Sequence, residues 1–160
     1  MDRSQWYIGA PNGVVLCVDD ASEYWMKGRS YHAYSKEAER FTNMNQFLLG
    51  LEDFFDSISF PHPSVNERTF QDKEPAVILR KEKVRVMSDE ELLSKHGYLG
   101  TFVIRVQHRQ HSSWQGRITW LDKNKTLYFR SVWEMVKMIA SALAEVKDDE
   151  GESEESWTEE

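Results

Sequence analysis

The chain has 160 residues, 40% of them hydrophobic, enough to bury the core of one ordinary domain. Its formal charge of −7 is concentrated in Lys147 to Glu160 (KDDEGESEESWTEE), where eight acids meet one lysine, so residues 1–146 are balanced. No apolar run approaches the roughly 20 residues a membrane helix needs. The single Cys17 excludes an intrachain disulfide, and the start lacks a basic segment followed by an apolar run, so a cytoplasmic location is expected.

Met1 to Asn12 contains Trp6, Tyr7 and Ile8 before the turn pair Pro11-Asn12, which predicts a short edge strand. Val14 to Val18 (VVLCV) is β-branched and apolar, the pattern of a buried strand, and Asp19-Asp20 follow it as turn carboxylates. Gly28 to Tyr34 is a second strand and Glu39 to Phe41 a third. Asn43 and Gln46 have capping-box spacing. After them Met44, Phe47, Leu48, Leu51, Phe55 and Ile58 form a helical stripe that ends before Pro61 and Pro63. Ser59 to Pro75 reads as a long loop. Ala76 to Val86 offers another strand, and Ser88 to His96 a short helix capped by Ser88 and closed by Gly97.

The opening design returns 88 positions later. Val14, Leu16 and Val18 correspond to Phe102, Ile104 and Val106, Gly28-Arg29 to Gly116-Arg117, and Phe41 to Phe129. The cap pair Asn43/Gln46 corresponds to Ser131/Glu134. Each stripe residue of the first helix has its counterpart in Val132, Met135, Val136, Ile139, Leu143 and Val146. The expected fold is α+β: two tandem β-β-β-α repeats, 13–58 and 101–146, joined by the connector 59–100. They form an antiparallel sheet assembly with two covering helices and pseudo-twofold symmetry, a single globular domain over 1–146. The tail 147–160, with only Trp157 to bury, is expected to be disordered. The repeats differ in charge: eight acids and four bases in the first, three acids and seven bases in the second.

Catalytic chemistry finds little footing. Cys17 lies in a strand expected to be buried, which makes a thiol inert. His108 and His111 straddle a strand end with no cysteine or carboxylate beside them, so no metal is expected. Neither GxGxxG nor GxxxxGK[ST] occurs, and no cofactor is expected. Arg105-x-x-x-Arg109 followed by Ser113-x-x-Gly116 resembles the arginine pair and serine-glycine strand of PilZ-type cyclic-dinucleotide receptors. It departs from them in placing His111 where that motif has an acid or amide, and in setting the arginines only a few residues before the serine. Basic and aromatic residues from Arg105 to Arg130, with Trp114, Trp120 and Tyr128 interleaved, suit a nucleic-acid face. The balanced body and the acidic tail oppose it. A nucleic-acid mimic would carry its acidity on the fold rather than on a tail.

Interaction with protein remains. Alternation puts Trp114, Gly116, Ile118 and Trp120 on one sheet face, and Gln115, Arg117 and Thr119 on the other. Trp133 lies beside the second helix stripe. Arginine and tryptophan dominate interface energetics. The expected function is therefore a non-enzymatic binding or regulatory module acting through a protein partner or self-association. Arg109, Gln115, Arg117 and Trp133 are its candidate contacts. A small-ligand or nucleotide receptor (a cyclic dinucleotide included) using the groove between the repeats, or a nucleic-acid-binding protein, is the alternative.

The run FVIRVQHRQHSSWQGRITW with FRSVWEMVKMI, together with GRSYHAY and Phe60-Pro61, resembles a family of small uncharacterised proteins from anaerobic Gram-positive bacteria. No activity is known for that family, so the resemblance implies a bacterial cytosolic protein and supplies no substrate, cofactor or catalytic residue.

Overall fold

A computed structural model describes residue 8 and residues 10–22, 25–64, 68–70 and 84–157, with side chains through Asp149. The fold is α+β, built on one six-stranded antiparallel sheet with three helices among the described residues. The strands are β1 (Val14–Ala21), β2 (Met26–Tyr31), β3 (Glu39–Phe41), β4 (Gly100–His108), β5 (Gln115–Trp120) and β6 (Lys125–Phe129). The helices are α1 (Met44–Ile58), α2 (Asp89–Leu93) and α3 (Val132–Trp157). Strand order across the sheet is β3-β2-β1-β4-β5-β6.

The centre of the sheet is the β1–β4 pair, which explains the unbroken apolar runs of both strands. Val14, Leu16, Val18, Phe102, Ile104 and Val106 point to the side packed by the stripes of α1 and α3. Val15, Cys17 and Val103 point the other way, under Ile8, Met87, Leu92, Leu93 and Leu121. A strand covered on both faces has no polar face to alternate with. Each such side chain contributes about 1.5–3 kcal/mol when fully buried, so the central pair is where the fold is most strongly held.

The pairing registers recur at the offset seen in the sequence. Val18 pairs Gly28 and Val106 pairs Gly116; Gly28 pairs Phe41 and Gly116 pairs Phe129. A bulge between Val18 and Asp20 has its counterpart between Val106 and His108. At the centre, Val15 pairs Val103, its own counterpart, while Val14↔Ile104 and Leu16↔Phe102 exchange under the same offset. Both glycines are required by close approach: a Cβ on Gly28 would stand 2.0 Å from the Cys17 carbonyl oxygen, and one on Gly116 2.0 Å from that of Arg105.

Three expectations need correction. Asp19 and Asp20 are not turn residues but lie within β1, because the bulge carries the strand on to Ala21. α3 does not end near Val146: it runs through the acidic stretch to Trp157. No proline interrupts it, its Glu and Lys residues are good helix formers, and Lys147 Nζ donates to the Ala21 carbonyl. Val84–Val86 form no strand; the N–H groups of Val86 and Met87 donate instead to the Ala33 carbonyl. Residues 76–83 of that expected strand, and Trp6 and Tyr7 of the expected N-terminal strand, lie outside the described residues.

Candidate interaction surface

β6 is an edge strand five residues long, paired among the described residues only with β5, and four of its five residues are exposed. An unpaired edge leaves a row of backbone N–H and C=O groups facing outward. Leu127 is 54% exposed and Tyr128 67%, and Trp133, just beyond the strand at the start of α3, is also 67% exposed. The other edge, β3, has only three residues. The turn before β6 supplies Lys123, β6 itself begins at Lys125, and Arg130 follows the strand. The one acid of this stretch, Asp122, accepts the Thr101 N–H at 2.8 Å and so pins the turn to β4.

Arg117 lies on the sheet face opposite α1 and α3, between Arg105 on β4 and Tyr128 on β6. Arg105 is buried: its Nε donates to the Ile8 carbonyl and Nη1 to Thr119 Oγ1 at 3.2 Å. Thr119 and Thr126 share a hydroxyl hydrogen bond of 2.9 Å. Arg117 differs from its neighbours, since its Nε is buried without any hydrogen-bond partner.

The same position in the first half is Arg29, and it is fully engaged. Its Nε and Nη2 meet the two Asp19 oxygens at 3.0 and 3.1 Å, Nη1 donates to the Tyr31 hydroxyl at 2.9 Å, and Nη2 to the His96 carbonyl at 2.8 Å. Burial pushes the Asp19 carboxyl up. The Arg29 guanidinium, the Tyr98 N–H and more distant Arg40 outweigh that and hold it below the ordinary 3.8. The Asp19 carboxylate in turn raises Arg29.

The four residues singled out from sequence do not converge. Arg109 is buried, with Nε on the Pro61 carbonyl at 2.6 Å, Nη1 on Asp56 at 2.7 Å and its guanidinium over the Phe55 ring. It ties the end of β4 to the last turn of α1. Gln115 staples the β4–β5 turn: Oε1 accepts the Gln110 N–H at 2.9 Å, and Nε2 donates to the Gln110 and Arg130 carbonyls. Arg117 faces the opposite side of the sheet from the helices. Trp133 stands exposed on α3, with Lys137 Nζ 5.7 Å from its ring centre. The face alternation is as expected, since Trp114, Ile118 and Trp120 all enter the core beneath the helices. Sequence reasoning missed Leu127. The signal available was a short apolar strand with no later strand to cover it.

Arg105 and Arg109, the pair with the PilZ-like spacing, are both buried and bonded internally. No cluster of three or more His, Cys, Asp or Glu residues suited to a metal occurs among the described residues, and no described helix is long and apolar enough to cross a membrane. No family model, curated protein or solved structure matches the chain.

Proposed function

We propose that this chain is a non-enzymatic binding or regulatory module that docks an extended segment of a protein partner along β6. The observation that carries the reading is the open edge itself, exposed at Leu127 and Tyr128 and flanked by exposed Trp133. Strand addition takes its affinity from main-chain hydrogen bonds and its specificity from alternate side chains. Trp133 and Arg117 serve as side-chain contacts, whereas Arg109 and Gln115 shape the surface from behind. We also infer that the two halves arose by duplication and are related by a pseudo-twofold axis at Val15/Val103. The recurrence of both bulges, both glycine pairings and both caps at one offset supports this.

The test is capture from native lysate with the full-length tagged chain, beside the double variant Leu127→Lys, Trp133→Ala. A stoichiometric protein held by the parent and released by the variant, with the unfolding midpoint unchanged, is the expected result. A partner held equally by both overturns the reading.

A second reading has its own observation. A groove of about 410 Å³ opens between the ends of β1 and β2 and α3, lined by Trp25, Met26, Met44, Val136, Ile139 and Lys147 among others. Its volume falls within the ligand-pocket range. Its apolar lining suits a hydrophobic small molecule better than a nucleotide. A ligand bound only by the native state raises the unfolding midpoint, and Ala140→Trp, which fills the groove, abolishes that rise.

A further inference from the structure

The two halves hold one arginine each at the same register position. Arg29 pairs Cys17 in β1, and Arg117 pairs Arg105 in β4, each beside the strand bulge. In the first half the bulge residue is Asp19, and its carboxylate grips Arg29 through two charge-assisted hydrogen bonds. In the second half the bulge residue is Gln107, whose amide carries no charge. Arg117 makes no hydrogen bond or ion pair with the described residues, and its Nε is buried. It also pairs Arg105 directly across the two strands, and like charges set opposite one another are unfavourable.

We infer that Arg117 is a carboxylate-receiving site, filled by an acidic side chain of the segment docked on β6, which supplies what Asp19 supplies to Arg29. The inference rests on the edge-docking reading and adds the chemical class of the partner. Tyr128, paired with Arg117 and on the open strand, lies between the guanidinium and any added strand on that face. Lys125, the exposed first residue of β6, favours the same charge, whereas Lys123 and Arg130 already face Asp149 and Glu134. A second copy joined edge to edge through β6 (KTLYF) would bring no carboxylate to Arg117, so the occupant is an acidic segment of another protein.

The experiment follows the Arg117 Nε–Hε signal by NMR in the full-length chain, identified by its loss in Arg117→Lys, with the β6 amides as a second reporter. The probes are a terminally blocked hexaglutamate and inorganic phosphate. Hexaglutamate is expected to shift both reporters saturably. Gln107→Asp, which installs the missing carboxylate, is expected to weaken that binding about tenfold or more, as the loss of a hydrogen bond to a charged group predicts. Gln107→Asn leaves it unchanged. If hexaglutamate moves the β6 amides but not the Arg117 signal, the carboxylate site falls and edge docking stands. If neither moves, both fall. A response to phosphate alone overturns the carboxylate assignment. A shift of the Arg117 signal in the free protein when Glu152, Glu154 and Glu155 become Gln shows the chain's own acids in the site, and overturns the partner.

Discussion

Arg109 Nη1 lies 2.7 Å from Asp56 Oδ1 while its Nε holds the Pro61 carbonyl, so one side chain fastens the end of β4 to the exit of α1. The two partners are unequal, since the arginine is 6% exposed and the aspartate 56%. Arg109→Ala removes both bonds and leaves a carbonyl unpaired beside the core, an expected loss of about 2–4 kcal/mol. Asp56→Asn removes only a solvent-screened charge and is expected to cost under about 1 kcal/mol. Urea unfolding of the two variants measures the difference. Equal losses would mean that the ion pair, not the buried carbonyl contact, dominates.

The paired glycines test the relationship between the halves. An alanine methyl at Gly28 or Gly116 would lie 2.0 Å from a backbone oxygen of the neighbouring strand, which cannot rotate away. Each substitution is expected to cost about 3 kcal/mol or more, at the upper end for overpacking. The two losses should also match, because the clashing atom, the bulge and the paired phenylalanine correspond. Chemical denaturation of Gly28→Ala and Gly116→Ala decides it. A cheap substitution at one site alone argues that the halves are not held alike.

Much of this framework is legible in the sequence because it is local. Helix stripes, caps and strand alternation are properties of neighbouring residues, and the offset of 88 multiplies a weak signal by repeating it. What escapes is what depends on distant chain. The β1–β4 pairing that centres the sheet joins residues some ninety positions apart. Arg109 reads as a contact residue because its true partners, Pro61 and Asp56, lie 48 and 53 positions away. Asp19 reads as a turn residue because a bulge leaves no mark in composition. Arg117 is placed on the correct face by alternation alone. That it lacks the carboxylate its counterpart holds follows only from seeing both bulges.

Acid titration of Asp19 carries a definite sign. Its folded-state pKa lies below the ordinary 3.8, so the unfolded chain binds the proton first. Stability from the Asp19–Arg29 pair is therefore complete above the unfolded value and lost as pH falls through the lower folded one. Asp19→Asn removes this contribution. Its stability should show a shallower fall than the parent's on acidification below about pH 4, the ordinary range for an aspartate. Parallel pH profiles of the two proteins would show that Arg29 holds its place through the Tyr31 hydroxyl and the His96 carbonyl instead.

The two helix starts offer the finest comparison. Asn43 Oδ1 accepts the Gln46 N–H at 2.9 Å while Gln46 Oε1 accepts that of Thr42 at 2.8 Å. Ser131 Oγ accepts the Glu134 N–H at 3.1 Å while Glu134 Oε1 accepts that of Arg130 at 3.1 Å. Asn43→Ala and Ser131→Ala should each cost about 1 kcal/mol, the usual loss for an N-cap. Their pH behaviour separates them. The Arg130 guanidinium, with the Arg130 N–H, holds the Glu134 carboxyl below its ordinary value, whereas Gln46 does not titrate. As pH falls through the depressed Glu134 value its return hydrogen bond is lost, so Glu134→Gln should keep the α3 cap intact into acid. The check is hydrogen exchange at the Arg130 and Thr42 amides between neutral and acid pH, corrected for intrinsic rate. Protection is expected to fall at Arg130 in the parent, and to persist at Thr42 and in Glu134→Gln.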